Sequence, residues 1–249
     1  MPTPTLADAV AALKKFEGDI LENRHAHSGA RWYVGEPAPA ELLASYRARP
    51  GMLPPALLDL YELMNGCELD WGFFSIPMPP KGASEEEVDA WDREARHGYA
   101  EGRFCLPPLN KIVTMGTDLE NEYTFFGPGT LSMLFDQSQP EYGTWLVAST
   151  PGQPPKPNDY HPADVEDLEM LEAAYDTADV AHAQLVFLHA KVDEVPVPVG
   201  LAEYILQGLA HGFAWGWQLV VWGSEWESRL YVDGIKATMA RLRGGWKQS

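Results

Sequence analysis

An α+β fold is what this chain of 249 residues predicts, with N-terminal helices, a mainly antiparallel sheet, helical insertions and a closing C-terminal helix. Three observations carry that expectation. Apolar residues recur at helical spacing up to Asn65-Gly66. From Leu109 to Val147 the chain changes to β-rich runs broken by glycine- and proline-containing turns. Helical spacing then returns between Leu201 and Phe213.

Taken in order, Leu6, Val10, Leu13, Phe16 and Ile20 form one stripe of an amphipathic helix over Leu6 to Leu21, with Lys14, Lys15, Glu17 and Asp19 on the other side. Gly29 suits a stop after it. His25 and His27 stand two apart, a spacing that does not put them on one helix face, so they are read as exposed polar residues rather than metal ligands. A second helix runs from Pro39 to Arg47 and ends at the Arg49-Pro50-Gly51 turn. Three helices are thus expected before the first strand.

The stretch Leu53 to Ile76 organises the rest. Pro54 and Pro55 open a helix, since the first-turn amides have no intrahelical acceptor. Leu57, Leu60, Tyr61 and Met64 give it an apolar face. Asn65-Gly66 closes it, because both residue types tolerate the left-handed conformation. An acidic turn and a short strand from Trp71 to Ile76 follow.

Residues 77–106 read as an acidic insertion whose helix starts at a capping box, Ser84 with Glu87. Glu85, Glu86 and Glu87 sit at the positive end of its dipole and need no functional explanation. Leu109 to Met115 reads as a strand. Three more β runs follow at Tyr123–Phe126, Leu131–Phe135 and Thr144–Val147, giving a meandering antiparallel sheet. Gly127-Pro-Gly129 is a turn rather than a phosphate loop, lacking the Lys-Ser/Thr pair.

A second acidic insertion is placed at about 151–198. Pro151 to Pro157 is a stiff linker, and Val165, Leu168, Leu171 and Tyr175 mark a helix face. Leu185 to Leu188 could be helix or strand, and Pro196 and Pro198 end whatever precedes them. A helix covers Leu201 to Phe213. Trp215, Trp217, Leu219 and Val221 alternate as in a strand, within a tryptophan-rich extension at about 214–249. Ile235, Met239 and Leu242 then give a short terminal helix in a basic tail. The whole is read as one elaborated domain over 1–249.

Bulk properties limit function. Eighteen basic against 36 acidic side chains leave a net charge of −18, which opposes nucleic acid and anionic membranes as partners. A basic protein partner suits it, although acidity also serves solubility alone. No apolar run is long enough to span a bilayer and the N-terminus lacks a signal-peptide pattern, so a cytoplasmic location is expected. Cys67 and Cys105 lie far apart and read as small buried residues. No zinc, nucleophile-elbow or dinucleotide motif is found, so no catalytic residue, metal or cofactor is assigned.

Leu53-Pro54, the Leu57/Leu58/Tyr61 pattern, Asn65-Gly66 and Gly72-Phe73-Phe74 resemble the SMI1/KNR4, or SUKH, superfamily. Ile112 to Asp118 resembles its later strand and polar turn. Where that family has a second glycine after Asn-Gly, this chain has Cys67. The resemblance implies a non-catalytic α+β domain with helices on a sheet, most often an immunity protein that neutralises a bacterial toxin. A basic nuclease toxin fits the charge. The resemblance further implies that two turns border the sheet, placing Glu68, Asp70 and Trp71 with Asp118, Glu120 and Glu122 on one partner-binding acidic rim. The alternatives are a metal-dependent hydrolase using clustered carboxylates and a regulatory protein-interaction scaffold.

Overall fold

The computed structural model describes residues 3–22, 31–73, 81–96, 100–112, 114–115, 124–126, 130–139, 142–149, 151, 157–160, 176–189, 193–213 and 217–222. Helix α1 (Leu6–Glu22) begins at a capping box that sequence reading passes over. The Thr5 amide and hydroxyl donate to the Asp8 carboxylate at 2.9 and 2.6 Å, and the Asp8 amide donates back to the Thr5 hydroxyl at 3.2 Å, satisfying first-turn amides that the helix cannot. Ala9, Val10 and Leu13 are buried, and Phe16 meets Trp32 edge-on at 5.3 Å.

Strand β1 (Arg31–Val34) separates α1 from α2 (Ala40–Arg47), where an unbroken series of three helices is expected. Its Trp32, Tyr33 and Val34 are aromatic and β-branched residues that fit a pleated surface. Helix α3 (Pro55–Tyr61) starts at Pro54 and Pro55 as its sequence requires, and buries Leu57, Leu58, Leu60 and Tyr61. The Tyr61 hydroxyl donates to the Pro107 carbonyl at 2.6 Å, and burial drives its pKa far above the usual phenol value.

Gly66 stands at φ +89°, the left-handed conformation foreseen for it. The helix itself ends at Tyr61 with Glu62 as its C-cap, so Asn65-Gly66 does not close it as expected but follows one turn later, and Asn65 bonds elsewhere. Its amide donates to the Glu36 carbonyl at 2.7 Å, and its side-chain oxygen accepts the Leu109 amide at 2.8 Å. That second bond explains one departure from expectation. Leu109–Lys111 is a 3-10 turn after Pro108, with only Ile112 extended, so the strand expected from Leu109 is not found among the described residues of that stretch. The Leu109 amide is taken by a side chain rather than by a neighbouring strand.

Strand β2 (Cys67–Phe73) starts directly at the glycine. Cys67 to Asp70, expected as an acidic turn, is therefore strand. Helix α4 (Glu85–Arg96) has the predicted box: the Ser84 amide and hydroxyl donate to Glu87 at 2.8 and 2.9 Å, and the Glu87 amide donates to the Ser84 hydroxyl at 3.3 Å. Strand β3 (Ala100–Leu106) lies in the stretch read as an insertion, yet it pairs antiparallel with β2 along its length. The first sheet has the order β1-β2-β3.

The bonds from Ser84 hold the Glu87 carboxyl below its ordinary value, the backbone amide first and the hydroxyl second. Since the folded value is depressed, the contribution to helix stability is present above the unfolded carboxylate value and is lost as pH falls through the folded one. An NMR titration of Glu87 should give a midpoint below 4.5. In Ser84→Ala the midpoint should move back towards that value, and an unchanged midpoint would remove the box as its cause.

The remaining strands are β4 (Thr124–Phe126), β5 (Thr130–Gln139), β6 (Tyr142–Ser149), β7 (Pro157–Tyr160), β8 (Gln184–His189) and β9 (Asp193–Val197). β4 pairs with β7, and β5-β6-β8-β9 form an antiparallel four-stranded sheet. The ambiguous Leu185–Leu188 run is thus strand. Pro196 does not end that strand's partner: it lies inside β9, opposite Val186, at a sheet edge where a missing amide is tolerated.

Helix α5 (Leu201–Ala210) starts where expected and ends short of Phe213. After it, Gly212 at φ +63° and Phe213 at φ +50° take the left-handed conformation, and the next described element is α6 (Trp217–Trp222). The strand expected there is a helix. Consecutive Trp217, Gln218 and Leu219 are all buried, a pattern that a two-faced strand does not give. The stretch with His25 and His27, the acidic run at 161–175 and the tail from 223 lie outside the described residues.

Both larger sheets share one apolar core with α1, α3, α5 and α6. Phe104 of β3 is its joint, stacking on Phe213 at 4.6 Å and tilting against Phe135 of β5 at 6.1 Å. Among the described residues no helix is long and apolar enough to cross a membrane.

Candidate functional site

The alternation of β2 sorts its side chains. Cys67 and Leu69 are buried with Val34, Phe104 and Leu106, so Glu68 and Asp70 point to the opposite face, where both are half-buried. Register fixes their neighbours. Glu68 stands between Tyr33 of β1 and Cys105 of β3, and Asp70 stands between Arg31 and Arg103. Tyr33 is 56% exposed and Arg103 is exposed. Among the described residues neither the Glu68 nor the Asp70 carboxylate has a hydrogen-bond or ion-pair partner. Among the described residues the face thus presents an open aromatic ring beside carboxylates that accept no hydrogen bond.

The Cys105 thiol belongs to the same face. Burial raises its pKa, with a smaller contrary effect from Arg103 and further upward effects from Asp136, Glu68 and Asp70. It is therefore a neutral neighbour to Glu68 near pH 7. Cys67 and Cys105 are both thiols and belong to opposite faces of the sheet.

A second polar cluster lies inside the molecule. Tyr204 of α5 donates its phenolic proton to Asp136 at 2.9 Å. Its oxygen accepts from the Gln218 amide at 3.0 Å and bonds the Thr144 hydroxyl at 2.7 Å. Because a phenol has one proton and Asp136 takes it, Thr144 is the donor in that last bond. The Cys105 amide donates to the other oxygen of Asp136 at 3.2 Å. Burial, then the charge of Asp136, pushes the Tyr204 pKa well up. All four side chains are buried, so the cluster ties β5, β6, α5 and α6 together and offers no surface to a substrate.

Of the residues the sequence assigns to partner binding, Glu68 and Asp70 come together on one open face, as strand rather than turn residues. Trp71 follows in β2 with its backbone opposite Gly102, and its side chain lies outside the described part of the structure. Asp118, Glu120 and Glu122 also lie outside the described residues. Tyr33, Arg103 and Cys105 are additions from the structure. For Tyr33 the signal is the Trp32-Tyr33-Val34 run, which marks a strand.

Fold and face together define an α+β protein with an open, carboxylate-bearing sheet surface. No family model, curated protein or solved structure matches the chain. Among the described residues no group of three or more histidine, cysteine or acidic side chains is placed to hold a metal ion.

Proposed function

We propose that this chain is a non-catalytic immunity protein that binds a basic bacterial toxin, with the outer face of β2 as part of the contact surface. The observation that carries the reading is the pair Glu68 and Asp70, half-buried beside the exposed Tyr33 with their carboxylates unpartnered among the described residues. Interfaces favour aromatic residues, and carboxylates with free acceptor capacity suit arginine and lysine. The net charge of −18 steers a cationic partner towards the surface before contact. The SMI1/KNR4-like helix start, Asn65-Gly66 turn and following strand support the same reading. A nuclease groove built for phosphates would accept these carboxylates in their place. In this proposal Trp71, Asp118, Glu120 and Glu122 extend the surface, and binding takes place in the cytoplasm.

The test uses the product of the adjacent reading frame. Co-expression of this chain should restore growth to cells making that product, and failure to do so rejects the immunity role. With Glu68 and Asp70 both changed to lysine and folding verified by circular dichroism, association at low salt should slow about tenfold and its salt dependence should flatten, as for charges at an interface rim. An unchanged rate and salt slope would place the contact elsewhere, and the same measurement on Asp118, Glu120 and Glu122 reversed together would follow.

A further inference from the structure

We infer that the Tyr33–Glu68 pair selects arginine over lysine on the partner. The inference deepens the binding role proposed above and rests on it. Tyr33 and Glu68 stand directly opposite each other in the antiparallel β1–β2 ladder, which puts the phenol ring and the carboxylate side by side on one face. Asp70 shares its register row with Arg103, an exposed cation of the neighbouring strand, so its field is partly offset from within the sheet. Glu68 has only Tyr33 and Cys105 across from it. A cation arriving from outside is therefore drawn to Glu68 rather than to Asp70.

What it meets there distinguishes the two basic side chains. The Glu68 carboxylate can accept two parallel N–H bonds, a geometry that a guanidinium fork matches and an ammonium does not. The Tyr33 ring, 56% exposed, offers a face on which the planar guanidinium can lie while those bonds are kept. Lysine gains the charge interaction alone. The partner segment is accordingly one that projects arginine onto a flat sheet surface.

The experiment needs no identified toxin. Two acetylated, amidated peptides of equal length and charge, one alternating arginine with glycine and one lysine with glycine, are titrated into the full chain at physiological salt. Binding is followed by calorimetry and by NMR of the Tyr33 ring and the Glu68 side chain. The arginine peptide should bind about 2- to 5-fold more tightly, the size of a cation–ring contact at an exposed site. Tyr33→Leu should reduce the preference to what the carboxylate fork alone gives, Tyr33→Phe should keep it in full, and Glu68→Gln should weaken both peptides. Equal affinities, or a preference undiminished by Tyr33→Leu, would overturn arginine selection by this pair; if Glu68→Gln still weakened both, the acidic face would stand as a binding surface. Failure of either peptide to perturb Tyr33 and Glu68 would overturn both readings.

Discussion

Gly66→Val should destabilise the protein by about 4 kcal/mol, from two separate causes that sum. The first is conformational. Gly66 stands at φ +89°, where a β-branched residue is strained by about 1–3 kcal/mol. The second is spatial. A Cβ at this position would lie 2.9 Å from the Pro108 nitrogen and 3.0 Å from the Leu106 carbonyl oxygen. Those are backbone atoms held by the β2–β3 ladder and by the Asn65–Leu109 bond, so they cannot swing aside as a side-chain tip would, and forced overpacking costs about 1–3 kcal/mol. Two companion variants separate the causes. Gly66→Asn relieves much of the first, since asparagine tolerates the left-handed region, and retains the second. Gly51→Val has the first alone, because Gly51 is at φ +93° with nothing within 4 Å of its Cβ position. Denaturant midpoints should therefore fall in the order Gly51→Val, Gly66→Asn, Gly66→Val only if the contact outweighs the strain. A Gly66→Val midpoint equal to that of Gly51→Val would remove the contact with Pro108 from the account.

Tyr204→Phe is the other large effect, expected at about 3 kcal/mol. The change removes one oxygen and almost no volume, so no cavity contributes. That oxygen, however, is the hub of the buried cluster: it donates to Asp136 and receives from Thr144 and Gln218. Without it one carboxylate oxygen loses a donor in a site that water does not reach, and leaving a charged group short of a buried bond costs more than the roughly 1–3 kcal/mol typical of a neutral one. Gln218 retains the Thr144 hydroxyl at 3.3 Å, which is why the loss is not that of the whole network. Thr144→Val, which removes a donor and leaves the Tyr204–Asp136 bond intact, should cost less. If Tyr204→Phe proved no worse than Thr144→Val in chemical denaturation, the carboxylate would not be the group that sets the penalty.

The parts of the fold that were legible in the sequence are those with local causes. Proline starts α3 and the Ser84–Glu87 box starts α4. Gly66 takes its conformation from its own missing side chain, and α1 and α5 follow apolar spacing. The parts that were not legible depend on partners distant in the chain. β1 is a four-residue strand whose pairing with β2 lies beyond an intervening pair of helices. β3 follows an acidic helix that disguises it as insertion. α6 is written as alternating tryptophan and aliphatic residues, and only its packing against the core, with Trp217, Gln218 and Leu219 all buried, shows it as a helical turn. The same limit applies to the site. Glu68 and Asp70 stood out as acidic residues beside aromatic ones, but whether they occupy a turn or a sheet face is decided by strands that register against them from both sides. Tyr33 became visible as a neighbour of Glu68 only through that register.

Pro196 carries a consequence for how the molecule behaves in a crowded solution. Among the described strands β9 is the outermost of its sheet, and an outermost strand is a template on which a strand of another chain can grow. Proline has no amide hydrogen, so β9 carries one donor fewer than a strand of ordinary residues, and proline on an outermost strand is a common guard against edge pairing. Such a guard lies in the covalent chemistry of β9 itself and does not wait on the rest of the surface.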